Sequence, residues 1–322
     1  DRTNKERRSV MIDTVKLRLN YKESPTFNVG QYLDNSKSNM NTETGELWGS
    51  GTLRNMHVFY NGGGIVVEGS IGGFLFPNNS RIPKRQDVRT AIEQLSDLLH
   101  LPMSNAQVVR LDCGYHWNME RPANHYFPLL CEATYFERLN QTATTLKYAK
   151  GGKKESNVLI FYDKAKECKD KGKPLLDGFG ENVLRYECRW MSRVSRQFGL
   201  GQLTASILIN EDFYHSMVKR WGDFYENIHK SFRGDYDMPL MGNVRLANDF
   251  IYSILLNLQD AGVVIDIEKT MKDSNVFGEK GWQYDSLRRS IINRRAKVEQ
   301  YASYGLTDEL NDKVRDVVNN CE

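Results

Sequence analysis

The residues best able to do chemistry fall in two short runs, Val158-Leu-Ile-Phe-Tyr-Asp-Lys164 and Val183-Leu-Arg-Tyr-Glu-Cys-Arg-Trp190. Both read as strands. In the first, Tyr162 and Lys164 alternate onto one face, roughly 7 Å apart. In the second, Arg185, Glu187 and Arg189 share a face, and Leu184, Tyr186, Cys188 and Trp190 share the other. Side by side, these strands would bring a phenol, an ammonium group and a carboxylate into one cleft, the parts of a tyrosine nucleophile acting on a phosphodiester. A free phenol has a pKa near ~10, so only about one in a thousand is ionised at neutral pH. It needs a cation close by, and the scissile phosphate needs a metal to take up its charge. The plainer alternative makes Tyr162 a rim aromatic and Lys164 a solvated edge-strand lysine.

Three acids, Glu68, Asp112 and Glu187, stand in otherwise apolar strand settings. Each also reads as a salt-bridged carboxylate, Asp112 with Arg110 and Glu187 with Arg185 or Arg189. Their recurrence on separate strands fits a shared site for Mg2+ or Mn2+, hard cations that take oxygen ligands. The six histidines form no HxH or HxxxH pair. His57 and His116 are the two placed to join such a site, and a surface or satisfied histidine is the simpler reading. Residues 147–173 hold nine lysines against four acids and flank Tyr162 on both sides. Lys153 and Lys154 there, with strand-borne Arg110 and Arg185, are expected at DNA phosphates, although a solvated loop explains the run equally well.

The elements that position these groups follow from periodicity. Residues 1–10 read as a flexible leader and 11–19 as an amphipathic strand, with Asp13, Val15, Leu17 and Leu19 on one face. Residues 24–46 read as loop. A hairpin follows, joined by Asn61-Gly-Gly-Gly64 and carrying Glu68 on its second strand. The pattern then predicts a helix over 85–101, a strand over 107–113 and a second helix over 127–146. The expected fold is α+β: an antiparallel sheet with helices packed on it, occupying 11–235. Residues 243–322 form a smaller helical module whose basic helix, with Arg288, Arg289 and Arg295, suits duplex docking. A helical cap with a solvated arginine face suits it too.

A chain of 322 residues with 40% hydrophobic content can bury a sizeable core. Its apolar runs are too short to span a bilayer, and no secretory signal opens it. Five cysteines without CxxC spacing point to reduced thiols in a cytosolic protein and to no structural zinc. The net charge of +3 does not by itself indicate nucleic acid. No phosphate-binding Gly-x4-Gly-Lys-Ser/Thr loop is present.

The run at 11–19, Val109-Arg-Leu-Asp112, Leu159-Ile-Phe-Tyr-Asp-Lys164 and Leu184-Arg-Tyr-Glu-Cys-Arg189 occur in the order found in the filamentous-phage gene II/X replication initiators. The chain resembles these rolling-circle initiators over about 11–196, and more loosely over 247–306. The YDK and RYE runs are also similar to those of plasmid initiators. The resemblance implies an HUH-like nuclease fold and a single-strand endonuclease and strand transferase that forms a 5′-phosphotyrosyl link at a replication origin. It implies Tyr162 as nucleophile, Lys164 as its cationic partner, and Asp112, Glu187 and, more weakly, Glu68 as ligands of Mg2+ or Mn2+. Its implied partners are single-stranded and duplex origin DNA with a host helicase and polymerase, in the cytoplasm of a bacterial host. The chain departs from the wider superfamily in lacking a His-hydrophobic-His pair. The alternatives are a non-catalytic DNA-binding repressor or structural protein of the same fold, and a conjugative relaxase.

Overall fold

Period-two runs fold into strands because each buries one face, and in this chain most of them join one sheet. The computed structural model describes residues 11–20, 29–76, 83–152, 155–174, 178–230 and 306–321, with positions 282, 285, 286, 289 and 293. Two units are distinguished, Asp1–His229 with Asp312–Glu322, and Lys230–Asn311. The expected leader and most of the C-terminal module, including Arg288 and Arg295, lie outside the described residues, as do Lys153 and Lys154.

The first unit is built on ten strands: β1 (Met11–Asn20), β2 (Asp34–Met40), β3 (Leu47–Leu53), β4 (Met56–Asn61), β5 (Gly64–Ser70), β6 (Gln107–Asn118), then β8 (Glu137–Gln141), β9 (Thr145–Lys150), β10 (Asn157–Asp163) and β11 (Val183–Trp190). They form one sheet in the order β2-β3-β4-β5-β1-β6-β11-β10-β9-β8, with antiparallel neighbours. A separate pair joins β7 (Leu130–Ala133) to β12 (Ile228–Lys230). The helices are α1 (Ile71–Leu75), α2 (Arg85–Leu99), α3 (Lys164–Asp170), α4 (Val194–Gln197), α5 (Glu211–Glu226) and α6 (Leu306–Asn319). The α+β class and the antiparallel sheet are those the sequence predicts.

The apolar side of the sheet makes the core. Phe161 of β10 stacks on Tyr186 of β11 at 4.5 Å and 10° between rings, and Tyr186 meets Trp221 of α5 at 4.8 Å. The Tyr186 hydroxyl donates to the Trp221 carbonyl, so this buried phenol is satisfied and structural. Helix α2 adds Val88, Ala91, Ile92, Leu95 and Leu99 at helical spacing.

Three expectations are corrected. Residues 127–146 are not a helix but a 3-10 turn followed by β7, β8 and the start of β9. Thr142 caps a tight turn by accepting from the Thr144 and Thr145 amides, which a helix through this segment would not allow. Residues 24–46 are not all loop, because 34–40 form edge strand β2. All seven of its residues are exposed, so no apolar alternation betrays it. Finally, register shifts in β1 between Ile12 and Val15 break the strict alternation. Asp13 therefore leaves the apolar face on which Val15 and Leu17 lie and joins the polar one.

Candidate active site

The polar side of the sheet is where the chemistry-bearing residues meet. Strand β10 ends at Asp163, whose carboxylate accepts from the Lys166 amide and caps α3. Lys164 is thus the first residue of a helix and not a strand residue beside Tyr162. Its Nζ lies 5.9 Å from the Tyr162 ring centre, and Glu167 holds it at 2.7 Å. Across the ladder Tyr162 pairs with Arg185 of β11, which pairs with His116 of β6. The Arg185 guanidinium also lies 5.9 Å from the Tyr162 ring centre.

From Arg185 an alternating series of charges crosses the sheet. Arg185 bridges Asp13 at 2.6 Å and Glu187 at 3.2 Å. Glu187 takes Arg189 at 2.7 Å, and Arg189 lies 3.6 Å from Asp112. Asp112 is held by Arg110 through two hydrogen bonds of 2.9 and 2.6 Å. Arg110 reaches Glu68 at 2.8 Å, and Glu68 takes Lys16 at 2.8 Å. Gly114, opposite Glu187, leaves room for this crowding: a Cβ there would come within 2.7 Å of the Tyr186 carbonyl oxygen. Four acids and four cations therefore balance.

Burial sets the protonation states. Desolvation pushes the Asp112 carboxyl up to about 6, against the pull of Arg110. Burial also raises the Tyr162 phenol well above its ordinary value, with Arg185 the first influence working against it. His116 is driven down to about 3 by burial and then by Arg185 and Lys164, so it is neutral. Phe179 packs 4.6 Å from its ring, and neither ring nitrogen has a hydrogen-bond partner among the described residues. At Glu167 burial is outweighed by hydrogen bonds from Lys164 and Lys171, which hold its carboxyl down at about 2.

The expected ligand set does not fit a divalent cation as placed. All six oxygens of Glu68, Asp112 and Glu187 accept from a side-chain cation. Among the described residues no group of three or more histidine, cysteine, aspartate or glutamate side chains could hold a metal. His57 is exposed on β4 opposite Glu68, and His116 is buried beside Arg185. The structure thus brings Asp112 and Glu187 together, but through arginines.

Two of the expected DNA contacts turn inward as well. Arg185 is 2% exposed, and Arg110 spends its donors on Asp112 and Glu68. Much of the lysine margin is self-neutralised: Lys147 pairs with Glu155, Lys166 with Asp170 and Lys171 with Glu167. Arg289 is helical and exposed, its Nε donating to the Asp285 carbonyl. Asp13, Glu167 and Arg189 were not picked out as site residues by the sequence. The signal for Asp13 was a charge on an otherwise apolar strand face.

Tyr162 separates two clefts. One, of about 200 Å3, is lined by Asp13, Ser70, Lys164, Lys171 and Lys173. The other, of about 410 Å3, is lined by Thr144, Thr145, Lys166, Asp170, Lys171 and Arg189. Tyr162 and Glu167 face both.

Residues 80–217 match the family model for the N-terminal region of the phage replication-associated protein encoded by gene II. Over that segment, less than half of its length, the chain is similar to this replication-associated protein family. The match takes in Asp112, Tyr162, Lys164 and Glu187 but not Asp13, Lys16 or Glu68. No curated protein matches the chain. A solved rolling circle replication initiator protein from Geobacillus stearothermophilus is similar at a TM-score of 0.40 and 11% identity, over 71% of this chain and 89% of that one. At that distance the likeness bears on neither the site nor its chemistry. No helix among the described residues is long and apolar enough to cross a membrane.

Proposed function

We propose that the chain initiates rolling-circle replication as a site-specific single-strand endonuclease and strand transferase with Tyr162 as nucleophile. In this reading the Tyr162 oxygen attacks an origin phosphodiester and the P–O3′ bond breaks. The phenol's proton ends on the released 3′ hydroxyl, which primes synthesis by a host polymerase. The 5′ side stays on Tyr162 as a phosphodiester, so the strand is rejoined later without ATP.

One observation carries this reading: Tyr162 stands between two cation-bearing clefts, within the segment that matches the replication-associated family. A strand laid across Tyr162 would set its flanking phosphates against Lys164 and Lys173 on one side and Lys166 and Arg189 on the other. Arg185 opposes the penalty that burial puts on the phenolate, and Asp13 and Glu187 hold Arg185 in place. Glu167 aims Lys164. The three strand acids position arginines here.

The test is a suicide oligonucleotide carrying the origin. Tyr162→Phe removes one hydroxyl, so the protein should fold and bind DNA while cleavage stops. Mass spectrometry of the wild-type adduct should find DNA on Tyr162. Adduct on Tyr148 or Tyr186, or full cleavage by the phenylalanine variant, would overturn the assignment.

A further inference from the structure

The polar side of the sheet continues, away from Tyr162, onto the first hairpins, where it becomes open. Two large aromatics project there: Phe59 of β4 is 57% exposed and Trp48 of β3 is 52% exposed. Ladder register fixes their surroundings. Lys37, Ser50, Phe59, Val66 and Arg18 form one cross-strand row. Trp48 lies two residues from Ser50, so it shares that face and stands diagonal to Phe59, about 7–8 Å away. Asn39 is its neighbour on β2. The next row on the other side is Thr52, His57, Glu68, Lys16 and Arg110, where the charge series begins.

We propose that Trp48 and Phe59 form a stacking platform for bases of single-stranded DNA, with Arg18 and Lys37 facing its phosphates. A pair of exposed aromatics on a β-sheet face suits unpaired bases, because each base has a π-face to lay on a ring and its backbone needs nearby cations. Charge favours this occupant over an apolar partner. Arg18 and Lys37 have no ion-pair partner among the described residues. Of the acids on these rows, Glu68 is already held by Lys16 and Arg110, and Asp34 sits opposite Thr52 at the edge. Trp48 and Phe59 lie outside residues 80–217, so the platform belongs to no part of the family match.

The platform deepens the nicking proposal and rests on it only for its direction. Strand β4 is five strand spacings from β10, about 24 Å in the hydrogen-bonding direction. At a stacked rise of ~3.4 Å that is at least about seven nucleotides from the base nearest Tyr162. The bases held are therefore distant from the nick.

The experiment measures affinity by fluorescence anisotropy, on the intact chain, for a mixed-sequence single strand of about twenty nucleotides. Trp48→Ala and Phe59→Ala should each weaken binding about 5- to 150-fold, the range expected for one lost base stack. Trp48→Phe should retain most of it. Duplex of the same sequence should show no such loss, and neither should a strand only four nucleotides long around the nick. Unchanged affinity for the long strand in both alanine variants would overturn the platform. So would unchanged affinity together with a changed sedimentation coefficient, which would make this face a contact between copies of the chain. Because the readout is binding, it stands apart from the Tyr162 test. Loss of affinity in the alanine variants supports the platform whether or not Tyr162→Phe still cleaves.

Discussion

Glu187 and Asp112 are both acids beneath the sheet's polar surface, yet removing their charges has different consequences. Glu187 neutralises Arg185, which is 2% exposed, and Arg189. Glu187→Gln leaves a buried guanidinium short of a partner and should destabilise the fold by about 3 kcal/mol. Asp112 is instead an acid held at a cost. Its carboxyl rises from 3.8 unfolded to about 6 folded, with burial the main cause. Between these values the folded chain keeps a proton that the unfolded chain gives up. The Asp112 contribution to stability therefore falls as pH rises from about 4 to about 6, by up to about 3 kcal/mol in all, and is flat above. Asp112→Asn should erase that slope and cost little at pH 7. Urea titrations of both proteins at pH 4, 5, 6 and 7 decide it: equal slopes would show that Asp112 does not titrate there. The sequence shows the RxD and RxExR spacings. It does not show which side of the sheet is covered, and that is what turns Arg110 and Arg185 from surface cations into interior partners.

At the scale of elements, the junction between β10 and α3 sets the geometry around Tyr162. Because Asp163 caps the helix, Lys164 begins it and Glu167 comes round one turn later to hold the Lys164 ammonium. Asp163→Ala should cost about 1 kcal/mol, a Tm loss of a few degrees at most. The first turn would loosen, and cleavage of a single-stranded origin oligonucleotide should slow several-fold. Asp163→Ser restores an N-cap oxygen and should recover both. Cleavage unchanged in the alanine variant would detach α3 from the chemistry. Strand β10 was legible from its run of apolar residues, β11 from its alternation and the β4–β5 hairpin from its Asn-Gly turn. The stop after Asp163 was not, since Asp-Lys continues a strand pattern as readily as it caps a helix. The 127–146 segment has the same origin: apolar residues at mixed spacing satisfy a helical template until the threonine turn is given weight.

Across the whole molecule, a net charge of +3 over 322 residues leaves little general attraction for DNA, so affinity must come from local clusters. In the first unit most strand-face cations are matched by acids. In the second unit, Lys230–Asn311, the arginines Arg288, Arg289 and Arg295 recur along a basic stretch, and Arg289 is helical and exposed. Residues seven apart on a helix nearly share a face, so a helix here would align Arg288 and Arg295 beside Arg289. If that stretch docks duplex origin, each lost phosphate contact reduces the salt-dependence slope of binding by roughly 0.9. The triple change to alanine should therefore lower the slope by up to about 2.7 and weaken duplex binding most at low salt. Cleavage of a short pre-melted strand, which depends on the cleft around Tyr162, should stay close to wild type. The measurement is duplex affinity at four or five salt concentrations alongside single-strand cleavage. An unchanged slope would make these arginines a solvated face, and equal losses in both assays would show that duplex docking and cleavage are not separable in this chain.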